Sequence, residues 1–330
     1  MRSHTLAGVP VAVTELGFGC APLLGRAGRR ESLAALNAAL DAGITLFDTA
    51  RSYGYGESEA LLGGVLRERG LRDRIVLCTK FGILPAPKNW KHRVRPLARA
   101  VVRAVPSLLQ AAQRQAASQF VSGQFSVETL RHSLEASLRA LRTEVIDVLL
   151  LHGASPEVLM QSDLMEALSR LVERGVVRAA GVSGPEQTLS AWLAGPATPL
   201  RVGQFAMNLD TLGSMQLAVE DAHFLTANHP FGGTSGVHAM KARIAVLAAD
   251  ASLPLGLREK LAGEDSELFP EIVFALLRQG TGVRSILPAM MSLRHIAANV
   301  RAIESTRFNV DDVAWLRRLL QRQLLRQAQG

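Results

Sequence analysis

Four residues that can move or stabilise a proton lie beside short apolar runs of this sequence. Asp48, Lys80 and His152 each end or directly follow such a run, and Tyr53 lies five residues after Asp48. A phenol has a pKa of about 10, so Tyr53 becomes a useful acid only where a nearby cation favours its phenolate. If Lys80 is that cation and Asp48 holds it, Tyr53 can protonate a developing alkoxide. His152 can donate a hydrogen bond to a substrate oxygen, so the set suits proton transfer to or from a bound substrate.

The apolar runs belong to a regular alternation of strand-like and helix-like segments. Eight strand-like segments, each followed by helical material, predict a parallel sheet, and eight such units in 330 residues predict a closed (β/α)8 TIM barrel. The predicted strands are 16–19, 44–47, 74–79, 146–152, 177–183, 201–207, 223–228 and 283–289. The predicted helices are 29–43, 57–70, 127–141, 162–175, 185–193, 236–250, 267–279 and 292–304. An open doubly wound sheet is the alternative, but residues 16–25 fit the Gly-rich dinucleotide fingerprint poorly.

The ends of the chain and of the helices add detail to this architecture. Residues 5–16 predict an N-terminal β-hairpin that caps the bottom of the barrel, and residues 310–327 predict an extra C-terminal helix. Gly43 and Gly175 are predicted to end helices, and Ser162 is predicted to cap one. No shift in composition marks a domain boundary, so residues 1–330 are predicted to form a single domain.

The barrel prediction brings the polar residues together. Catalytic residues of such barrels gather at the carboxyl ends of the strands, where Asp48, Lys80, His152 and the loop with Tyr53 are predicted to meet. Taken singly, each has an ordinary explanation as a loop cap, a satisfied polar residue or a surface lysine. Their joint position at four strand ends favours a site.

The segments that carry these residues resemble the aldo-keto reductase superfamily. The block "FDTARSYGYGESEALLG", the strand end "CTKFG" and the strand "IDVLLLHGASP" are similar to the family's catalytic motifs. The segments "GVSGPEQ", "GQFAMNLD", "ANHPFGG" and "SILPAMMSLRHIAANV" are similar to its cofactor-binding motifs, and the resemblance runs from about residue 14 to 304. It implies an NAD(P)H-dependent oxidoreductase that reduces an aldehyde or ketone to an alcohol, or the reverse. Tyr53 is then the general acid, assisted by Asp48, Lys80 and His152.

The resemblance also implies a set of cofactor-binding positions. Ser183 and Gln204 are expected to hydrogen-bond the nicotinamide carboxamide, and the loop around Pro288 with the following helix is expected to receive the adenosine phosphates. The full set is Gly19, Ser183, Gly184, Gln204, Asn228, Pro288, Arg294, His295 and Asn299. NADP(H) is favoured as the cofactor, and NAD(H) is the alternative.

Several of these positions depart from the family pattern. Gly184 replaces an Asn, Asn228 replaces an aromatic residue, and His295 lies where the family often has an Arg. Ala289 and Met290 replace a Lys and a Ser after Pro288. These departures predict a weakened cofactor clamp.

A basic segment interrupts the alternation after Lys80. The net charge of the chain is +8, yet no acidic residue lies between Arg74 and Val127, so much of the excess is local. Residues 83–124 are therefore interpreted as a basic loop insertion. A lid over an anionic or bulky substrate, a contact with a partner or membrane surface, and a solvated loop all remain open. The local excess argues against nucleic-acid binding by the protein as a whole.

Composition limits the remaining classes of function. Cys20 and Cys78 are the only two cysteines, which indicates a cytoplasmic protein without a disulfide framework. No apolar run reaches the roughly 18 residues that span a bilayer, so stable membrane insertion is not expected. No cluster of Cys and His predicts a metal site, and no phosphate-binding loop motif is present.

Two other hypotheses belong to different classes. A catalytically weak, cofactor-binding regulatory barrel is compatible with the weakened clamp. A lyase or isomerase could instead use Lys80 as a Schiff-base amine. The partner expected for the enzyme is a small-molecule carbonyl compound or alcohol, and the sequence specifies neither the substrate nor the oligomeric state.

Overall fold

The structure, a computed structural model, describes residues 1–85, 120–196, 198–212, 223–262 and 267–328. Its strands are β1 Ser3–His4, β2 Val13–Thr14, β3 Phe18–Gly19, β4 Leu46–Asp48, β5 Val76–Phe81, β6 Leu84–Pro85, β7 Phe120–Val121, β8 Ile146–His152, β9 Val177–Ser183, β10 Leu200–Ala206, β11 Phe224–Asn228 and β12 Val283–Leu287. Its α-helices are α1 Arg29–Asp41, α2 Ser58–Arg69, α3 Val127–Leu141, α4 Pro156–Leu159, α5 Ser162–Glu173, α6 Glu186–Ala194, α7 Gly233–Ala248, α8 Leu255–Leu261, α9 Leu268–Arg278, α10 Leu293–Glu304 and α11 Val310–Ala328. Short 3-10 helices span Tyr53–Gly56 and Arg72–Arg74.

Eight parallel strands form the central sheet, in the order β3, β4, β5, β8, β9, β10, β11 and β12. A parallel bridge between Leu16 and Ile286 joins the first strand segment to the last. The amide of Gly17 donates to the Ile286 carbonyl over 2.8 Å, and the Ile286 amide donates to the Glu15 carbonyl over 2.8 Å. These contacts curl the sheet into a barrel, which confirms the predicted (β/α)8 architecture.

The interior register of the barrel explains which side chains reach its mouth. Successive residues of a strand point to opposite faces, so alternate residues share the interior. Along β8, Val148 and Leu150 belong to the buried interior cluster, and the next interior position is His152. Along β5, Cys78 occupies the interior cluster and Lys80 follows it at the same spacing. The barrel interior is therefore apolar along most of its length and polar at the carboxyl ends of the strands.

The N-terminal hairpin lies at the opposite end of the barrel. β1 pairs antiparallel with β2, and Ser3 lies opposite Thr14. Leu6, Val9 and Val13 are buried in the same interior cluster as the strand residues. The hairpin therefore closes the bottom of the barrel with apolar side chains, as the sequence predicts.

The structure confirms two of the predicted helix ends and corrects one. Gly43 and Gly175 follow α1 and α5 with φ of 76° and 70°, a backbone that glycine adopts without a steric penalty. Ser162 is not the N-cap of α5, because Gln161 has the extended cap conformation and Ser162 is the first helical residue. The C-terminal helix α11 is present, whereas the short helices α4 and α8 were not predicted from the sequence.

The basic segment is rooted beside the barrel mouth. Residues 86–119 of the predicted insertion at 83–124 lie outside the described residues. At its base, β6 pairs antiparallel with β7, and the Gln124 amide donates to the Gly82 carbonyl over 3.0 Å. The Phe81 and Phe125 rings pack edge to face at 6.0 Å. The two ends of the insertion are thus paired with each other, next to the carboxyl end of β5, the strand that carries Lys80.

Among the residues that the structure describes, no helix is long and apolar enough to cross a membrane.

Candidate active site

The ammonium group of Lys80 lies at the centre of the barrel mouth. Its Nζ donates to Asp48 Oδ1 over 2.5 Å, to the Thr49 carbonyl over 3.0 Å and to the Tyr53 hydroxyl over 3.4 Å. These three acceptors match the three N–H donors of an ammonium group. Burial of Lys80 lowers its pKa, but the Asp48 carboxylate, with smaller contributions from Tyr53 and Cys78, more than offsets this effect, and the pKa lies above its ordinary value. Lys80 is therefore a charged group with fixed geometry.

Asp48 connects this ammonium group to the next layer of polar side chains. Asp48 is buried, and its Oδ1 also accepts a hydrogen bond from Gln204 Nε2 over 2.9 Å. β4 lies between β3 and β5, and Asp48 is paired in register with Gly19 and Cys78. The position of Asp48 is thus set by strand pairing on both sides.

Tyr53 reaches the mouth from the loop after β4. Burial raises the pKa of Tyr53 above its ordinary value, and Lys80 lowers it by a smaller amount. The effect of Lys80 has the direction predicted from the sequence, whereas the larger effect of burial was not predicted. Tyr53 is therefore a protonated phenol that lies against a cation. Such a group holds its proton at neutral pH and can give it up when an alkoxide develops beside it.

The turn that carries Tyr53 has an unusual backbone. Gly54, Tyr55 and Gly56 follow one another with φ of 57°, 59° and 86°. A Cβ atom on Gly54 would lie 2.7 Å from the Leu23 carbonyl oxygen, so only glycine fits there. Tyr55 holds a left-handed conformation that costs a non-glycine residue on the order of 1 kcal/mol. The "YGYG" stretch is thus a strained turn that packs closely against the loop after β3.

The His152 ring packs against the Tyr53 ring. The two rings meet edge to face, with centroids 5.8 Å apart and planes at 88°. Burial and the charge of Lys80 lower the pKa of His152 to about 3, so its imidazole is neutral at physiological pH. Its Nδ1 is buried and makes no hydrogen bond within the described residues. A neutral imidazole can donate one hydrogen bond to a substrate oxygen without carrying charge into the pocket.

A hydrogen-bond chain continues from Asp48 toward the predicted nicotinamide positions. Gln204 Oε1 accepts from Ser183 Oγ over 2.9 Å and from Asn228 Nδ2 over 3.4 Å. Asn228 Oδ1 lies 2.9 Å from Nδ1 of His229. The structure thus connects Ser183 and Asn228, each through Gln204, to Asp48.

The remaining predicted cofactor positions lie on the neighbouring strand ends and on α10. The Gly19 amide donates to the Pro288 carbonyl over 3.2 Å, so these two residues adjoin where the barrel closes. Arg294 and His295 are exposed in the first turn of α10, and Asn299 is buried on the same helix. A helix N-terminus with two basic side chains suits an anionic group such as a phosphate.

The structure shows how two residues that depart from the family pattern are packed. Met290 is fully buried and belongs to the main apolar core, so it offers no polar atom to a phosphate. A Cβ atom on Gly184 would lie 3.1 Å from the Ala154 carbonyl oxygen and 3.4 Å from Thr188 Cβ. Tight packing therefore opposes a side chain at residue 184.

A model of the aldo/keto reductase family matches residues 15–209. The chain belongs to the aldo/keto reductase family. The matched range contains the four residues at the mouth together with Ser183 and Gln204, whereas β11, β12 and α10 lie beyond it.

Known aldo-keto reductases are similar to parts of this chain. Aldo-keto reductase YhdN of Bacillus subtilis is 29% identical over 187 residues, which are 56% of this chain and 47% of that protein. A 6-dehydroglucose reductase of Agrobacterium fabrum is 35% identical over 152 residues, 46% of this chain and 42% of that protein. The chloroplastic pyridoxal reductase of Arabidopsis thaliana is 30% identical over 200 residues, 56% of this chain and 45% of that protein. The chain spans about half the length of the curated relatives it matches.

Solved aldo-keto reductase structures share the fold. The holo form of an aldo-keto reductase from Bacillus halodurans superposes with a TM-score of 0.66 at 22% identity, covering 97% of this chain and 96% of that one. An aldo/keto reductase from Klebsiella pneumoniae in complex with NADP and acetate gives a TM-score of 0.65 at 23% identity, covering 97% of this chain and 96% of that one.

Some polar groups at the mouth were not identified from the sequence. The Thr49 carbonyl contacts Lys80, and backbone groups carry no sequence pattern. Glu59 is 1% exposed behind the tyrosine loop, although its helical spacing alone does not distinguish it from a surface acid. Within the described ranges, no three His, Cys, Asp or Glu side chains are grouped so that they could hold a metal ion.

Proposed function

We propose that this protein catalyses NAD(P)H-dependent reduction of an aldehyde or ketone to an alcohol, or the reverse reaction. The observation that carries the proposal is the Tyr53 hydroxyl 3.4 Å from Lys80 Nζ, with that ammonium group fixed by Asp48 over 2.5 Å. A nicotinamide cofactor, when bound, would supply or accept the hydride. Every other requirement of the reaction falls on side chains of this chain.

The proposed proton path begins at the Tyr53 hydroxyl. His152, which is neutral, hydrogen-bonds the carbonyl oxygen of the substrate and polarises it. As negative charge develops on that oxygen, Tyr53 Oη gives it a proton and becomes a phenolate. Lys80 stabilises the phenolate, and Asp48 keeps Lys80 charged and oriented. In the direction of alcohol oxidation the same atoms act in reverse.

The proposed cofactor site uses the positions that the resemblance implies. Ser183 and Gln204 would hydrogen-bond the nicotinamide carboxamide, with Asn228 beside Gln204. Gly19 adjoins Pro288 at the barrel seam, and the loop around Pro288 would help to receive the adenosine phosphates. Arg294, His295 and Asn299 on α10, with its N-terminus, would receive the adenosine phosphates. Met290 is buried and Gly184 has no side chain, so neither residue can give the cofactor a side-chain contact. Cofactor binding should therefore be weaker than with the residues that are usual in the family. NADP(H) is the proposed cofactor because the Klebsiella pneumoniae protein binds NADP, and NAD(H) is the alternative.

We propose this activity for the chain as a whole. Residues 1–330 would form one barrel domain that acts on a small-molecule carbonyl compound or alcohol. The relatives include a 6-dehydroglucose reductase and a pyridoxal reductase, so oxidised sugars and aromatic aldehydes are suitable first substrates. Cys20 and Cys78 are buried free thiols, which supports a cytoplasmic location.

The Schiff-base alternative finds no support at Lys80. An amine attacks a carbonyl only when it is neutral, and the pKa of Lys80 is raised by its pairing with Asp48. Lys80 is also fully buried beneath Tyr53 and Thr49, so a substrate carbon has no direct approach to Nζ. A regulatory barrel remains the second candidate, because Met290 and Gly184 provide no side-chain contact to a cofactor.

Cofactor binding and turnover together test the proposal. NADPH and NADH would be titrated separately against the purified protein, following quenching of its tryptophan fluorescence. Absorbance at 340 nm would then report NADPH oxidation with a panel of sugar-derived and aromatic aldehydes. We expect saturable binding of NADPH and turnover with at least one aldehyde. Binding without turnover would favour the regulator, and binding of neither nucleotide by the folded protein would contradict the reductase.

A further inference from the structure

We propose that Glu59 is a positioning residue that sets the distance between the Tyr53 hydroxyl and the Lys80 ammonium group. It does so by joining Arg51, on the tyrosine loop, to Thr79, on the strand that carries Lys80. The catalytic consequence rests on the proposed reductase function. The positioning itself does not, and it can be measured without substrate or cofactor.

Glu59 lies in the first turn of α2 and is 1% exposed. A buried carboxylate is costly unless it is paired, and both oxygens of Glu59 have a partner. Oε1 accepts from Thr79 Oγ1 over 2.7 Å, and Oε2 accepts from Arg51 Nη1 over 2.7 Å. One side chain thus joins two elements that are 28 residues apart in the sequence.

Thr79 is the fixed end of this connection. It lies inside β5, which is paired on both sides by β4 and β8. Neighbouring residues of a strand point to opposite faces, so Lys80 enters the barrel while Thr79 points outward to α2. Because Thr79 and Lys80 are consecutive residues of one rigid strand, a group held by Thr79 is also held relative to Lys80.

Arg51 is the other end of this connection and lies on the strained tyrosine loop. It lies two residues before Tyr53, and the following residues Gly54, Tyr55 and Gly56 all have left-handed backbones. Backbone hydrogen bonds within this loop join Tyr53 to Ala50 and Glu57 to Gly54, over 3.1 and 3.2 Å. A strained turn persists only where its surroundings hold it. The Arg51–Glu59 ion pair provides such a hold on the side of the loop that leads into Tyr53.

The chain offers a direct readout of Tyr53. Tyr53 and Tyr55 are its only two tyrosines, so a Tyr55→Phe protein has a single phenol. Phenolate absorbance near 295 nm, followed against pH, then reports the ionisation of Tyr53 alone. In the parent, burial raises the pKa of Tyr53 by more than Lys80 lowers it. If the loop is released to solvent, both effects vanish, and the pKa falls toward the ordinary value of about 10.

The decisive variant is Glu59→Gln in the Tyr55→Phe background. Gln keeps an acceptor for Thr79 but has no charge for Arg51. We expect phenolate to appear at lower pH than in the Tyr55→Phe parent. In the Tyr55-containing enzyme, we expect kcat to fall about 100-fold with KM for the aldehyde nearly unchanged, since a shift of about 1 Å has this effect on a reacting group. Glu68→Gln, the same change at an exposed position of α2, is the control and should behave as the parent.

Three further variants keep the proposal testable if Glu59→Gln does not fold. Thr79→Val removes the hydroxyl at nearly constant volume and should reproduce the shift, whereas Thr79→Ser should restore parental behaviour. Arg51→Met should lower the Tyr53 titration midpoint as Glu59→Gln does. Folding is checked by circular dichroism and thermal unfolding.

The outcomes separate this inference from the proposed function. A Tyr53 titration that is unchanged in folded Arg51→Met and Thr79→Val proteins would overturn the positioning role, whatever the activity. A parent protein that reduces no carbonyl compound would contradict the reductase, while a shifted titration in the variants would still support the positioning role. Equal loss of kcat in Thr79→Val and Thr79→Ser would also overturn it, because the hydroxyl would then have no part.

Discussion

Asp48 and Lys80 form an ion pair of 2.5 Å in which the lysine side chain is fully buried and the aspartate side chain is 6% exposed. The pair lies where the apolar interior of the barrel ends, and each partner is fixed by its own strand. Because the surroundings are largely apolar, neither charge is stable there without the other. The same pair presents an ammonium group to Tyr53.

Breaking the pair should cost stability as well as activity. Lys80→Met leaves the Asp48 carboxylate buried without its cation, and we expect the free energy of unfolding to fall by about 3 kcal/mol. The double variant with Asp48→Asn should recover part of this loss, since no buried charge remains. Urea unfolding followed by tryptophan fluorescence measures both. Additive losses in the double variant would show that the two residues are not energetically coupled.

The low pKa of His152 predicts a pH dependence of stability. Its pKa is about 3 in the folded protein against an ordinary value near 6.5, so between these values the unfolded chain binds the extra proton. Stability from this group is therefore complete above about pH 6.5 and is lost as the pH falls toward 3.

Unfolding free energies at pH 7 and pH 5 test this sign. The difference between the two should be smaller for His152→Gln than for the parent. His132→Gln, at an exposed position of α3, is the control and should leave the difference as it is. A His152→Gln protein with the full parental pH dependence would contradict the burial of a neutral imidazole.

The absence of a side chain at Gly184 is predicted to be a packing requirement. Gly184→Ala should lower the free energy of unfolding by about 1 kcal/mol, because the added methyl group meets the Ala154 carbonyl and Thr188. Gly64→Ala adds the same atoms to α2, where a Cβ meets nothing within 4 Å. It should raise stability by roughly 0.5–1 kcal/mol through helix propensity. Opposite signs in thermal unfolding are expected, and a stabilising Gly184→Ala would refute the packing account.

The proposed phosphate contacts on α10 predict a cofactor-specific effect. Arg294→Glu should weaken NADPH binding roughly tenfold, or about 1.4 kcal/mol, and NADH binding much less. Fluorescence titration with each nucleotide measures both constants. Arg301→Glu makes the same charge change in the last turn of α10 and serves as the control. Equal effects of the two variants would indicate a general charge effect and not a contact at residue 294.

The sequence predicted the barrel because its signal is repeated eight times. Apolar runs such as 146–152 and 177–183 match β8 and β9 residue for residue. The polar residues that end these runs were found for the same reason, since strand period and barrel topology together determine which side chains reach the mouth. Weaker local signals gave errors, as at Ser162, which was predicted to cap α5 but is its first helical residue.

The finer features of the site depend on tertiary contacts that a single sequence does not encode locally. The pKa of Tyr53 follows mainly from burial, which is set by segments distant in the chain. The link from Asp48 through Gln204 spans 156 residues. Glu59 has the local pattern of an ordinary acid in a helix, and only the positions of Thr79 and Arg51 make it a buried ion-pair partner.

The central claim is that Tyr53 is the proton donor of a carbonyl reductase, and a matched pair of tyrosine variants tests it most directly. NADPH oxidation at 340 nm would be measured for Tyr53→Phe and Tyr55→Phe with the best aldehyde, after fluorescence titration has shown that both bind NADPH. We predict that Tyr53→Phe loses roughly 100-fold to 10,000-fold in kcat while Tyr55→Phe stays within a few fold of the parent. A Tyr53→Phe protein that binds NADPH and turns over like the parent would contradict the account.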